Sequence, residues 1–196
     1  ADEAQIRQGL ATGDNDRFLR LWFEVNTKDI GFGYASKEDA HTSKLKWFPY
    51  NKGGAFRKWY GNQDYVIKFN LENYKILKTM GNNCPSESYY FKDGCSWGQT
   101  GSGTASFRYI PKGSIFAHIG SMLFSESKDE SLGHLGFLNS KVCEYFLKFL
   151  SPTMGLEIGH IKNLPCKKNI KDEFNISKIL KLSINNWDSY EISWDF

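Results

Sequence analysis

"CSWGQTGSGTASFRYIPKGSIFAHIG", residues 95–120, is the stretch from which the fold class follows. It divides into a short strand at CSWGQT, a turn at Gly101-Ser102-Gly103, a second strand at TASFRYI, a turn at Pro111-Lys112-Gly113 and a third strand at SIFAHIG. β-branched and aromatic residues held between Gly- and Pro-containing breaks mark short antiparallel strands. Strand alternation puts Thr104, Ser106 and Arg108 on one face of the middle strand and Ala105, Phe107 and Tyr109 on the other. One face is expected in the core. The other is expected to meet a polar partner or solvent.

Working outward, LRLWFEV (19–25), DYVIKFNL (64–71) and SYYFK (88–92) read as further strands, and residues 26–44 as loop. ENYKILKTMGNN (72–83) fits helix or strand equally. Beyond residue 130 the pattern changes period: Leu135, Leu138, Val142, Tyr145 or Phe146, and Phe149 recur at helical spacing. Pro152 should end that helix near Leu150. KDEFNISKILKLS (171–183) reads as a second amphipathic helix, acids early and lysines late. The expected class is α+β, a twisted antiparallel sheet or meander with a C-terminal helical segment.

The chain has 196 residues, 40% of them hydrophobic and 16% aromatic, enough for a real core. A net charge of +3 does not by itself demand a polyanionic partner, so the placement of charge matters more than its sum. No run reaches the roughly 18 apolar residues of a membrane helix, and ADEAQIRQG at the start lacks a signal peptide's apolar segment. Cys84, Cys95, Cys143 and Cys166 have no zinc-knuckle spacing and read as reduced thiols, which suits a cytoplasmic protein. The start at Ala1 and the end at ISWDF suggest a piece of something larger.

Residues 46–62, KWFPYNKGGAFRKWYGN, combine aromatics with cations and contain no acid. Lys46, Lys52, Arg57 and Lys58 can neutralise phosphates, and the Gly53-Gly54 backbone can approach one closely with its N–H groups. Trp47, Phe48, Tyr50, Phe56, Trp59 and Tyr60 either stack on bases or pin a loop to the core, and pinning is the favoured reading. The bland alternative for the charges is a solvated face.

Catalytic chemistry is missing from the sequence. GFG (31–33) and GSG (101–103) do not sit between a strand and a helix, as a nucleotide-binding turn requires. There is no Walker loop, no GxSxG, no HExxH and no close His–Cys pair. No catalytic residue and no metal site is expected in this chain.

Several strings together resemble one family. GLATGDNDRFLRLWFEV (9–25), the 46–62 stretch, SFRYIPKGSIFAHIGSMLF (106–124), LGFLNSKVCEYFLKFLSPT (135–153) and DSYEISWDF (188–196) are similar, in this order, to the C-terminal half of the PglX adenine-specific DNA methyltransferases of BREX phage defence. More distantly they resemble specificity regions of single-chain restriction-modification enzymes. In that family a preceding catalytic domain carries the S-adenosylmethionine site and an Asn-Pro-Pro-Tyr motif. No two prolines are adjacent here, so the cofactor is expected in the parent polypeptide and none in this chain.

The resemblance implies a sequence-specific target-recognition domain that holds double-stranded DNA while a catalytic partner acts on a flipped adenine. It divides the chain into a connector at 1–20 from the missing methyltransferase domain, a recognition domain at 21–130 and a helical segment at 131–196. Candidate phosphate contacts are Arg17, Lys46, Lys52, Gly53, Gly54, Arg57 and Lys58. Candidate base readers are Gln99, Ser102, Thr104, Ser106 and Arg108, since Gln and Arg can bond adenine and guanine edges in pairs. For Thr104 and Ser106 the alternative is the solvent face of an edge strand. For Arg17 it is an ion pair with Asp14 or Asp16, or a contact with the missing domain. The rival functions are a protein-interaction module that never meets DNA, and an enzyme in its own right.

Overall fold

A computed structural model describes residues 5–98, 104–151, 155–166, 170–172 and 175–196. Eight strands run β1 (Gln5–Arg7), β2 (Leu19–Leu21), β3 (Trp47–Asn51), β4 (Tyr65–Lys68), β5 (Gly94–Trp97), β6 (Phe107–Ile110), β7 (Ile115–Phe116) and β8 (Met122–Phe124). The helices are α1 (Asn15–Phe18), α2 (Lys37–Thr42), α3 (Leu71–Leu77), α4 (Lys128–Leu138), α5 (Lys141–Leu150), α6 (Ile158–Lys162) and α7 (Ile176–Asp188). None is long and apolar enough to cross a membrane. The α+β class with a helical C-terminal part is therefore the observed one.

The strands form two four-stranded sheets, in the orders β1-β8-β5-β6 and β2-β4-β3-β7. The expected three-strand meander is split between them. β5 and β6 pair antiparallel as a hairpin, but β7 crosses over and pairs parallel with β3. Both faces of β6 are also closed. Phe107 and Tyr109 enter a core shared with α4, α5 and α7, including Leu135, Leu147, Leu180 and Trp187. The Arg108 face is covered by the segment 53–60, where Trp59 bridges to Arg108 and exchanges backbone hydrogen bonds with Phe107 and Tyr109, 2.9 and 2.8 Å.

The 46–62 stretch is half strand, half loop. Trp47 to Asn51 form an interior strand flanked by β4 and β7, buried along its whole length. Tyr60 is buried too, whereas Phe56 is 65% exposed. Most of the rings thus anchor the segment, as favoured from the sequence. Asn51 joins the two sheets: its Nδ2 donates to Ser96 Oγ at 2.7 Å and to the Gly120 carbonyl at 3.3 Å.

Other segments depart from expectation for local reasons. SYYFK is a 3-10 turn from Glu87 to Tyr89, not a strand; its start, Ser86, has φ 59. The undecided 72–83 segment is mostly α3, begun by Asn70, whose side chain accepts from Asn73 N. The long C-terminal helix is two helices, broken at Asn139-Ser140. Asn139 turns its amide onto the backbone of Phe107, accepting from N at 3.2 Å and donating to O at 3.0 Å, as a neighbouring strand would. Residues 1–20, read as a connector, contribute β1 to one sheet and the buried Phe18 and Leu19 to the other core. At the far end Trp194 packs on Phe32, ring centroids 5.2 Å apart, and Ile192 O accepts from Trp22 Nε1 at 2.9 Å.

Candidate nucleic-acid interface

The cations expected to meet DNA separate in space into two groups. Arg57, Lys58 and Arg108 form the first group, and they work inside the protein. Arg57 donates from Nε to Tyr60 O and from Nη2 to Asn186 Oδ1, both at 2.8 Å, with its guanidinium 4.8 Å from the Trp187 ring centre. This fastens the loop to α7. Gly61 is required there, at φ +121, because a Cβ would lie 2.5 Å from Arg57 Nε and 2.7 Å from Trp187. Lys58 Nζ donates to Asn139 O at 3.2 Å, where α4 ends.

Arg108 is corrected from base reader to brace. It is wholly buried. Its guanidinium donates to the carbonyls of Gly53 at 2.9 Å, Arg57 at 3.2 Å and Ala55 at 3.3 Å. Burial, followed by repulsion from Arg57, pulls it down to about 10, against attraction to Asp64. Ser106 is buried as well and accepts from Arg57 N at 3.3 Å. Thr104 remains exposed. Gln99 and Ser102 lie outside the described residues. Gly53 does not offer its N–H outward: it is buried and donates to Asn51 Oδ1 at 3.3 Å, while Gly54 is exposed at φ +105.

The second group gathers Arg17 and Lys46 with two cations that sequence reading did not single out, Arg20 and Lys68. The register explains the meeting. Trp47 lies opposite Lys68, Leu19 opposite Ile67 and Arg20 opposite Val66, so the end of β4 meets the start of β3 and the α1–β2 junction. Lys46 O accepts from Phe69 N at 3.0 Å on the same edge. Arg17 and Lys46 are exposed, Arg20 and Lys68 half-buried. Among the described residues none of the four has an acid within ion-pairing distance. Arg17 is paired with neither Asp14 nor Asp16.

The cluster is electrostatically strained. Burial and then the charges of Lys46, Arg20 and Arg17 push the Lys68 ammonium below its ordinary value. Lys68 also lies over Trp47, 5.2 Å from the ring centre, which holds it in place. Arg20 commits Nη1 to the Asp16 and Leu19 carbonyls, both at 2.6 Å. Its remaining donors have no protein acceptor among the described residues. Such a patch attracts a polyanion. The signal for Arg20 and Lys68 was absent from the sequence because each sits alone between apolar strand neighbours.

At the other end of β3 lies an open cleft of about 390 Å³, lined by Lys52, Gly53, Gly54, Ala55, Asn62, Asp64, Tyr65, Gly98 and Ile119. Lys52 Nζ stands 4.5 Å from the Tyr65 ring centre. Lys46 and Lys52 are six residues apart, or ~20 Å along a strand. The cleft and the cation patch thus mark the two ends of one strand.

The molecule so defined is a small α+β module with a cationic patch that forms no ion pair and a polar cleft, and with no assembled catalytic constellation among the described residues. No family model matches the chain. Its relatives are larger proteins: it is 37% identical over 199 residues, 97% of its length, to "Adenine-specific methyltransferase PglX" of Lacticaseibacillus casei (strain Zhang). It is 34% identical over 192 residues, 96% of its length, to "Adenine-specific methyltransferase BrxX" of Escherichia coli O9:H4 (strain HS). The chain is a homologue of one region of these PglX-like methyltransferases. It spans only 16% and 15% of their lengths.

Proposed function

We propose that this chain is the sequence-specific duplex-DNA-recognition part of an S-adenosylmethionine-dependent N6-adenine DNA methyltransferase in phage defence. The observation that carries the reading is the cluster of Arg17, Arg20, Lys46 and Lys68 at one sheet edge, none of them ion-paired among the described residues. The homology to adenine-specific methyltransferases supports the DNA substrate, and the cluster supports this region as one that touches it. In this reading methyl transfer and cofactor binding belong to another part of the parent polypeptide. This chain supplies phosphate contacts that set the register of the duplex, with Lys52 at the far end of β3 as a further contact.

Arg57 and Lys58 drop out as direct contacts, because their donors hold the loop to α7 and α4. The test is the salt dependence of duplex binding by the intact protein. The four clustered cations correspond to a slope of about −3.6 in log K against log salt, and Lys52 adds about −0.9. Affinity insensitive to salt sinks the proposal.

One observation favours a second reading, a protein-docking module. Val142, Tyr145, Phe146 and Phe149 line one stripe of α5 and are 58, 61, 37 and 68% exposed. The stripe and the cation patch involve separate elements, so docking to another protein region and DNA contact are compatible.

A further inference from the structure

The cleft beside the Gly53-Gly54 turn holds an acceptor that the fold leaves without a donor. Asp64 is half-buried, and among the described residues its carboxylate makes no hydrogen bond and no ion pair. Its backbone is fixed, since the carbonyl accepts from Trp22 N at 2.9 Å and Tyr65 next to it opens β4. Burial drives the carboxyl above its ordinary value, against the attraction of Arg108 and Arg57. The carboxylate is partly covered and opens on the cleft, so its oxygens are available to accept from a ligand that supplies a donor.

The surrounding groups narrow what that ligand is. The carbonyls of Gly53 and Ala55 are already bonded to Arg108, and Ala55 O also accepts from Asn62 Nδ2 at 2.8 Å. That bond fixes the Asn62 amide with its nitrogen toward the wall, leaving Oδ1 as an acceptor. Asn62 itself has φ 60, a backbone state that Asn tolerates. The cleft therefore offers two side-chain acceptors, Asp64 and Asn62 Oδ1, beside the flat Tyr65 ring and the aliphatic Ile119. Lys52 at the mouth repels a cationic ligand and suits one carried on a phosphate backbone. A neutral amino group on a planar, partly apolar body meets all of these conditions.

We propose that this cleft is a base-reading pocket in which Asp64, with Asn62 beside it, accepts a hydrogen bond from the exocyclic amino group of a cytosine or adenine in the recognised DNA. The inference rests on the DNA-recognition reading. Arg108 enters as a positioning residue: bonded to Gly53, Ala55 and Arg57, it sets the wall that orients Asn62. Amino-bearing bases are the natural partners of acidic and amide acceptors at base edges, cytosine N4 for a carboxylate and adenine N6 for an amide.

The experiment selects bound sequences from a random duplex library with the intact protein and with its Asp64→Ala and Asp64→Asn variants. The wild type is expected to enrich one sequence. Asp64→Ala should lose preference at a single cytosine or adenine position, by roughly 5- to 100-fold, with the other positions and the salt slope unchanged. The source is then separated by replacing that base with its analogue lacking the amino group, purine for adenine or 2-pyrimidinone for cytosine. The wild type should lose affinity for the analogue, and Asp64→Ala should not distinguish the two duplexes. Asp64→Asn controls for folding, because removing the charge of a partly exposed carboxylate that has no partner among the described residues should leave the unfolding midpoint unchanged or raised. Identical preferences in wild type and Asp64→Ala would overturn the pocket while leaving DNA recognition standing. A wild type that enriches no sequence overturns both.

Discussion

Arg57, Lys58 and Arg108 differ from Arg17, Arg20, Lys46 and Lys68 in what their charges face, although both groups are ordinary cations in ordinary surroundings of sequence. The first group faces main-chain and side-chain oxygens of this protein: five hydrogen bonds to backbone carbonyls and one to Asn186. In the second, Arg20 gives Nη1 to the Asp16 and Leu19 carbonyls, while Lys68 faces the like charges of Lys46, Arg20 and Arg17. The difference teaches that a cation near glycines and aromatics is not a phosphate contact until its donors are found to be free. Folding used the cations of 57–58 and 108 to build the platform and left those at the β2–β3–β4 edge for something outside.

The largest effect that would break this comparison comes from Arg108. Arg108→Ala leaves the carbonyls of Gly53 and Arg57 without their side-chain donor, Ala55 O keeping Asn62 Nδ2, and opens a void behind the Gly53–Ala55 wall. A loss of about 3–5 kcal/mol in unfolding free energy is expected, measured by denaturant titration. A loss below about 1 kcal/mol would mean that Arg108 is not a brace, and would reopen its role at the surface.

A third arrangement of charge sharpens the contrast at a somewhat smaller scale. Glu87 accepts from Lys37 Nζ at 2.6 Å and from Tyr74 Oη at 2.7 Å, and also pairs with Lys78. Burial alone would raise its carboxyl, yet these partners hold it at about 2. Here the protein satisfies its lysines with an acid, as it does not at the patch. Because the folded value lies below the ordinary one, the stabilisation is complete above ordinary carboxylate pH and is lost as pH falls towards 2. Glu87→Ala should cost about 2–3 kcal/mol at neutral pH. The gap between variant and wild type should start to narrow near pH 4.5 and close towards pH 2. A gap that persists at low pH would point to packing rather than charge.

How much of this was legible beforehand depends on the range of the interaction. A strand within 64–71, observed at Tyr65–Lys68, another within 104–110, observed at Phe107–Ile110, and the stop of α5 near Leu150 follow from local pattern. The pinning of Trp47, Phe48, Tyr50 and Tyr60 was readable because rings beside glycines need burial. What local pattern does not carry is partnership across the chain. Alternation correctly put Ser106 and Arg108 on one side of β6, but nothing in TASFRYI tells that residues 53–60 will cover that side. Likewise β7 joins β3 rather than β6, pairing Tyr50 with Ile115 and Asn51 with Phe116 across a long stretch of chain that the turn before it does not announce. The cation patch was half visible, as Arg17 and Lys46. Arg20 and Lys68 join it only through strand register. Asp64 was hidden for a similar reason: only the fold brings it to the same cleft as Gly53, Gly54 and Asn62.

The smallest effect on stability should come from Lys68, and this makes it the sharpest test of the comparison. Lys68 is a lysine whose ammonium is pushed below its ordinary value by burial and by Lys46, Arg20 and Arg17. Its charge therefore works against folding at neutral pH, and the penalty is relieved only as pH rises towards the lysine range. Lys68→Gln should leave unfolding free energy within about 0.5 kcal/mol of wild type, with the shift, if any, towards greater stability. On duplex DNA the same change should flatten the salt slope by about 0.9, uniformly across sequences, since a phosphate contact carries no base preference. Arg57→Gln should do the reverse, losing about 1 kcal/mol of stability with the slope unchanged. If Lys68→Gln destabilises the fold and spares the slope, the two groups of cations are one group. The patch is then only another part of the scaffold.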